Sequence, residues 1–186
     1  DMKNIWLVFW ILDVSIIVSA LTGDYISAYA RPAAMLALLP LFLVGYRDAI
    51  FLNVVFSVTM FVLDIFVDYQ TYVATGMTNE IFCSFMICFI GGMFAGFVGN
   101  SAKTRGHVLG TGFVIAIPTV VIILLLKVTD YTHLDGLELL QSAGFGLGGS
   151  VFSAILALAL LPVFEGVFSV LTVFRLRELT SPDAKL

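Results

Sequence analysis

The stretch GHVLGTGFVIAIPTVVIILLLK, residues 106–127, decides what kind of protein this is, because from Val108 to Leu126 it holds no ionisable side chain. Coiled as a helix it would extend about 33 Å, enough to cross the ~30 Å hydrocarbon core of a bilayer. Five further windows of the same character accompany it: Asn4 to Leu21, Ile26 to Val44, Ala49 to Val67, Glu80 to Gly99 and Ser142 to Phe164. Of the 186 residues, 60% are hydrophobic and only 12% charged, and the mean hydropathy is +1.07; soluble domains are roughly half apolar. A soluble domain of this size would need a polar exterior, so this apolar surface has to meet lipid. An open sheet would leave edge groups unpaired there, and no ten-residue alternation suggests a barrel. The expected fold is an all-α integral membrane protein, a bundle of six transmembrane helices over residues 1–164 with a juxtamembrane segment at 165–186.

The basic residues orient the bundle. Lys3, Arg47, Lys103, Arg105, Arg175, Arg177 and Lys185 fall on one side, whereas Arg31 and Lys127 sit at helix ends on the other, among Asp24, Asp68, Asp130, Asp135 and Glu138. Lys and Arg favour cytoplasmic loops, which makes both termini cytoplasmic. The net charge of -4 excludes no partner by itself, and no basic tract suggests nucleic acid. Asp1-Met2-Lys3-Asn4 runs straight into apolar sequence without a small-residue cleavage site, so no signal peptide is predicted. The longer external connections are 68–79 and 128–141. The second contains Thr132-His133-Leu134-Asp135, which resembles a capping box, so a short interfacial helix is expected to begin there and run into the sixth window.

Polar and special residues inside the apolar windows are the candidate functional groups. Asp13 and Asp64 lie at depths where an unpaired carboxylate is costly. Arg31 enters the second window at about the depth of Asp64, and a pair between them is the simplest account. Asp13 has no cation at its depth; it would be protonated, bonded to a group such as Asn53, or facing a water-filled cavity, and a sensing role for this set stays open. Gly92, Gly96, Gly144 and Gly148 are spaced four apart, as in close helix packing. Pro40 and Pro118 lie well inside windows and predict kinks, either static or hinging. Cys83 and Cys88 stand about 140° apart on a helix, which suits buried thiols better than a disulfide or metal pair. His107 and His133 belong to opposite sides and lack ligand-spaced partners. No phosphate loop and no Gly-x-Ser-x-Gly sequence occurs, so neither catalysis nor a cofactor is expected of this chain.

The final window ends in Leu160-Leu161-Pro162-Val163-Phe164-Glu165-Gly166-Val167-Phe168 and is followed by Arg175-Leu176-Arg177-Glu178-Leu179-Thr180-Ser181-Pro182. This resembles the junction of bacterial seven-transmembrane HD phosphohydrolases, where Leu-Pro-x-Phe-Glu-x-x-Phe leads to Arg-Leu-x-Glu-Leu-Ser/Thr-x-Pro. Arg31-Pro32-Ala33-Ala34-Met35, the Gly91-Gly92 pair and the basic loop before residue 106 are similar to that family's membrane region as well. The resemblance implies an extracellular domain, seven membrane helices and a cytoplasmic HD domain hydrolysing cyclic di-AMP, of which this chain would be the membrane core in the bacterial plasma membrane. Its expected partners are the bilayer, those two domains of the parent protein and an unidentified small ligand, with self-association left open. Glu165, Arg175, Arg177 and Glu178 are then candidate relay residues on a surface helix from Phe164 to Leu179; the alternative is an inert tether with snorkelling arginines. Six helices with both ends inside also suit the substrate-binding subunit of an energy-coupling vitamin or metal transporter, and a plain structural anchor is the remaining class.

Overall fold

In the computed structural model, residues 2–67, 73–74, 79–129, 135–169 and 172 are described, and their regular structure is helical throughout. The helices are α1 Met2–Tyr25, α2 Ala33–Leu43, α3 Tyr46–Val67, α4 Asn79–Met86, α5 Gly92–Gly99, α6 Arg105–Thr129 and α7 Gly136–Phe168. A π-helical turn, Ile87–Gly91, joins α4 to α5 without a break, giving one span from Glu80 to Gly99. Five segments are long and apolar enough to cross a membrane: Asn4–Tyr25, Tyr46–Val67, Glu80–Gly99, Arg105–Thr129 and Gly136–Phe168.

The second apolar window departs from that pattern. Ser27 accepts a hydrogen bond from the Tyr29 amide and opens a 3-10 turn, Ala28–Ala30. Pro32 then disfavours the helical region for the residue before it, and Arg31 takes the extended ψ of 131°. α2 begins beyond this break and spans 11 residues, about 16 Å of rise. At its far end the Pro40 carbonyl accepts both the Val44 and Gly45 amides, and Gly45 turns the chain with φ 146°. Only glycine adopts that backbone without strain. Every residue of α2 is buried, as expected of a helix apolar all round, and α1, α3, α5 and α7 pack around it.

The bundle carries its polarity inside and its oil outside. Ser15, Ser19, Asn53, Ser57, Ser84, Thr119, Ser150 and Ser153 are buried, while Phe51, Phe97, Phe113 and Ile117 are more than half exposed. Exposed apolar surface on this scale belongs against acyl chains. Most of the internal hydroxyls, including Ser15, Ser57, Thr119, Ser150 and Ser153, donate to the carbonyl one turn back, which satisfies them without water.

The glycine packing differs in register from the sequence expectation. Gly92 and Gly96 do make close approaches, against Asn53 and Ile50. Gly144 and Gly148 meet nothing and lie on the exposed face of α7; Gly146 and Gly149 take their place, against Ile123 and the Ala30 backbone. Gly144 and Gly148 are four residues apart and Gly146 and Gly149 three, both spacings that share a helix face, and the rotation of α7, set by its contacts with α6 and α2, decides which pair is internal. Pro118 lies within the continuous α6, and Pro40 comes just before the end of α2. The α7 N-terminus also differs from a capping box. Asp135 itself is the N-cap, extended at φ -89° and ψ 118°, and accepts the Leu137 amide, so it cannot be the third helical residue after Thr132; residues 130–134 lie outside the described residues.

Candidate functional site: a charged mouth and a buried exit

Asp24, Asp64 and Glu80 gather at one end of the bundle, around Arg31. The break at Pro32 leaves Arg31 between helices, with its side chain free to enter the interface of α1, α3 and α4. Its Nη1 and Nη2 donate to the Asp64 carboxylate oxygens at 2.6 and 2.7 Å, and Nη1 also donates to Ser84 Oγ at 2.8 Å. Arg31 is 6% exposed and Asp64 14%. Parallel charge-assisted bonds of this kind combine strength with a fixed geometry. Gly23 on α1 supplies the room, since a Cβ there would stand 2.4 Å from the guanidinium Nε. The clamp floors a cavity of about 190 Å³ lined by Gly23, Asp24, Ala28, Asp64, Glu80 and Ser84 among others. Beside it, Lys127 pairs with Glu138 and lies 5.3 Å over the Tyr29 ring, joining α6, the start of α7 and the 3-10 turn.

Deeper in the bundle, Asn53 Nδ2 donates to the Phe89 carbonyl at 3.1 Å. A π turn disturbs the regular helical ladder, and Asn53 takes up the carbonyl on the side of α3. Its Oδ1 rests on Gly92, where any side chain would collide with it. Asn53 is therefore committed to the π turn, and the proposed bond from Asp13 to it does not form. Asp13 is partly exposed on α1 and makes no hydrogen bond or ion pair among the described residues.

At the opposite end of α7, Glu165 is 5% exposed and accepts a hydrogen bond from Thr172 Oγ1, itself buried. The helix stops at Phe168, and Ser169 adopts the left-handed conformation at φ 53° and ψ 37°, which turns the chain so that Thr172 returns to Glu165. An uninterrupted surface helix from Phe164 to Leu179 is thus corrected: the helix is broken at Ser169. Arg175, Arg177 and Glu178 lie outside the described residues.

The sequence located the Arg31 to Asp64 pair, but it missed Ser84, Gly23 and Thr172. Ser84 had a legible signal, being the sole non-apolar side chain between Ile81 and Ile90 apart from two cysteines. Gly23 and Thr172 had none, because each matters through a side chain that arrives from elsewhere in the fold. Cys83 and Cys88 are buried free thiols, and among the described residues no three potential ligands gather as a metal site.

A family model described as "7TM receptor with intracellular HD hydrolase" matches residues 1–172. Among curated proteins, the cyclic-di-AMP phosphodiesterase PgpH of Bacillus subtilis is 33% identical over 84 residues, which is 45% of this chain and 12% of that protein. PgpH of Listeria monocytogenes is 26% identical over 159 residues, covering 86% of this chain and 20% of the relative. The chain thus spans a fifth or less of the curated relatives it matches. No solved structure matches.

Proposed function

The chain belongs to the 7TM receptors with an intracellular HD hydrolase, multi-pass proteins of the bacterial membrane, and we propose that it is the sensory and anchoring module of a cyclic di-AMP phosphodiesterase. The HD domain of the parent protein carries the hydrolysis, and this bundle reports on the cell exterior or the membrane. The family match over residues 1–172, which ends within the turn joining Thr172 to Glu165, is the observation that carries this reading.

In this reading the chain crosses the bilayer six times with both ends cytoplasmic. The basic loops at Arg47, Lys103 and Arg105 support the orientation. The second crossing runs through the 3-10 turn and α2: α1 ends beside the guanidinium of Arg31, and α3 ends beside its partner Asp64, so the chain between them travels the length of the bundle and back. α2 is too short to face lipid alone, and its shell of other helices spares it from doing so. The mouth above Arg31 receives the signal. α7, 33 residues and about 50 Å long, carries it to Glu165 and thence to the HD domain.

The test is metal-dependent cyclic di-AMP hydrolysis by the complete gene product, compared with a version lacking residues 1–164. An HD domain following this segment, with a hydrolysis rate changed by removing the bundle, supports the proposal. A complete product without hydrolase activity sinks it.

A further inference from the structure

An open groove of about 380 Å³ lies between α3 and α5, lined by Tyr46, Arg47, Ile50 and Met93. α3 spans 22 residues, about 33 Å of rise, so Arg47 near its start and Asp64 near its end stand on opposite sides of the hydrocarbon core. Positions 46, 47 and 50 share one face of the helix, which brings a phenol, a guanidinium and an alkyl chain to the same groove. Ile50 reaches α5 at Gly96, where a Cβ would stand 2.9 Å from its Cδ1. On α5, Phe97, one turn beyond Met93, is 68% exposed, so this side of the bundle faces acyl chains.

Arg47 is exposed and makes no hydrogen bond or ion pair among the described residues. Its neighbour Asp48 does not line this groove; it lines a different one with Asn4, Val8 and Phe51, between α1 and α3. Glu165, the other described acid at this end, is buried against Thr172. Lys103 and Arg105 stand at the same end, between α5 and α6, and the α3 N-terminus adds the positive pole of its dipole. A cation without a protein partner, set over an apolar groove at the membrane surface, is complementary to a phosphate that carries acyl chains. The guanidinium can hold two phosphate oxygens at once, and the Tyr46 hydroxyl is a further donor. A zwitterionic headgroup brings its own cation, so a lipid of net negative charge fits better.

We propose that this groove binds one anionic phospholipid, its phosphate on Arg47 and Tyr46 and an acyl chain along Ile50 and Met93. The site rests on the crossing of the bilayer by α3 and not on the attached enzyme, so its failure would leave the receptor reading standing.

The complete gene product, purified in a neutral detergent, is titrated with phosphatidylglycerol, phosphatidylcholine or inorganic phosphate, and bound molecules are counted by native mass spectrometry. One phosphatidylglycerol should bind in preference to the other two. Arg47→Gln should weaken it about tenfold or more, the loss of a hydrogen bond to a charged group. Met93→Trp, which fills the groove with the charge unchanged, should weaken it as well, whereas Asp48→Asn should not. Arg47 is exposed and Met93 partly so, and both variants should keep the wild-type thermal midpoint. Equal binding of the two lipids, inorganic phosphate taking the place of lipid, wild-type binding by Arg47→Gln or Met93→Trp, or a lipid-free dimer that Met93→Trp splits overturns the proposal.

Discussion

Two buried charged residues mark the ends of this bundle, and they are held in different ways. At the mouth, Arg31 is bound by Asp64 and Ser84, residues 33 and 53 positions away on two other helices. At the exit, Glu165 is bound by Thr172, seven residues along the same chain. The first arrangement exists only when α3 and α4 are assembled around the Arg31 turn, so breaking it loosens the bundle. The second joins residues on either side of the turn at Ser169. The mouth thus depends on contacts between helices, and the exit on a contact within one short stretch of chain.

Substitutions at the two ends should therefore separate stability from signalling. The largest loss is expected for Asp64→Ala, which leaves the Arg31 cation buried and unpaired; about 3–5 kcal/mol of stability should go, read as a fall in the thermal midpoint in nanodiscs. Replacing both partners, Arg31→Met with Asp64→Leu, should recover most of it, because no bare charge remains. If Asp64→Ala unfolds like the wild type, the mouth is not the stabilising end.

The glycines give a smaller contrast within α7. Gly149→Ala would drive a Cβ to 2.6 Å from the Ala30 carbonyl oxygen, against backbone that cannot rotate away. A loss of about 1–3 kcal/mol is expected. Gly148→Ala meets open space, and it should raise stability by about 0.5–1 kcal/mol through helix propensity alone. Equal effects at the two positions would show that α7 sits in a different rotation.

The exit should show a smaller stability loss than the mouth and the clearest functional change. Thr172→Val removes the hydroxyl that reaches the buried Glu165, and the loss should be that of a hydrogen bond to a carboxyl group, about 1.5–3 kcal/mol, below that expected for Asp64→Ala. Hydrolysis of cyclic di-AMP by the complete gene product should nevertheless shift, because the direction in which the chain leaves α7 is released. Unchanged hydrolysis in this variant would make the turn a passive tether.

Much of the fold was legible because hydropathy in runs of about twenty residues is a property of the solvent, lipid, and needs no tertiary knowledge. The Arg31 to Asp64 pair was legible for the same reason, since depth in a bilayer narrows the choice of partner for a charge. What the sequence hid depends on helix rotation and on local breaks. Gly144 and Gly148, four apart, share a helix face just as the internal Gly146 and Gly149, three apart, do, and nothing along α7 alone says which face turns inward. Ser27 and Pro32, read together, could have warned that the second window would not be one helix; its apolar content masked them. The left-handed Ser169 carries no glycine or asparagine signal, so the end of α7 was invisible from residue types.

The most direct test of the account compares cyclic di-AMP hydrolysis by the complete gene product, in nanodiscs, between the wild type and the paired replacement Arg31→Met with Asp64→Leu. Because that pair leaves no bare charge from the clamp and is expected to keep the bundle folded while removing the Arg31 to Asp64 clamp from the mouth, the account predicts a changed rate with an unchanged rate for the soluble HD domain alone. Equal rates in the two full-length proteins, at equal thermal midpoints, would contradict the claim that the mouth of this bundle governs the enzyme attached to it.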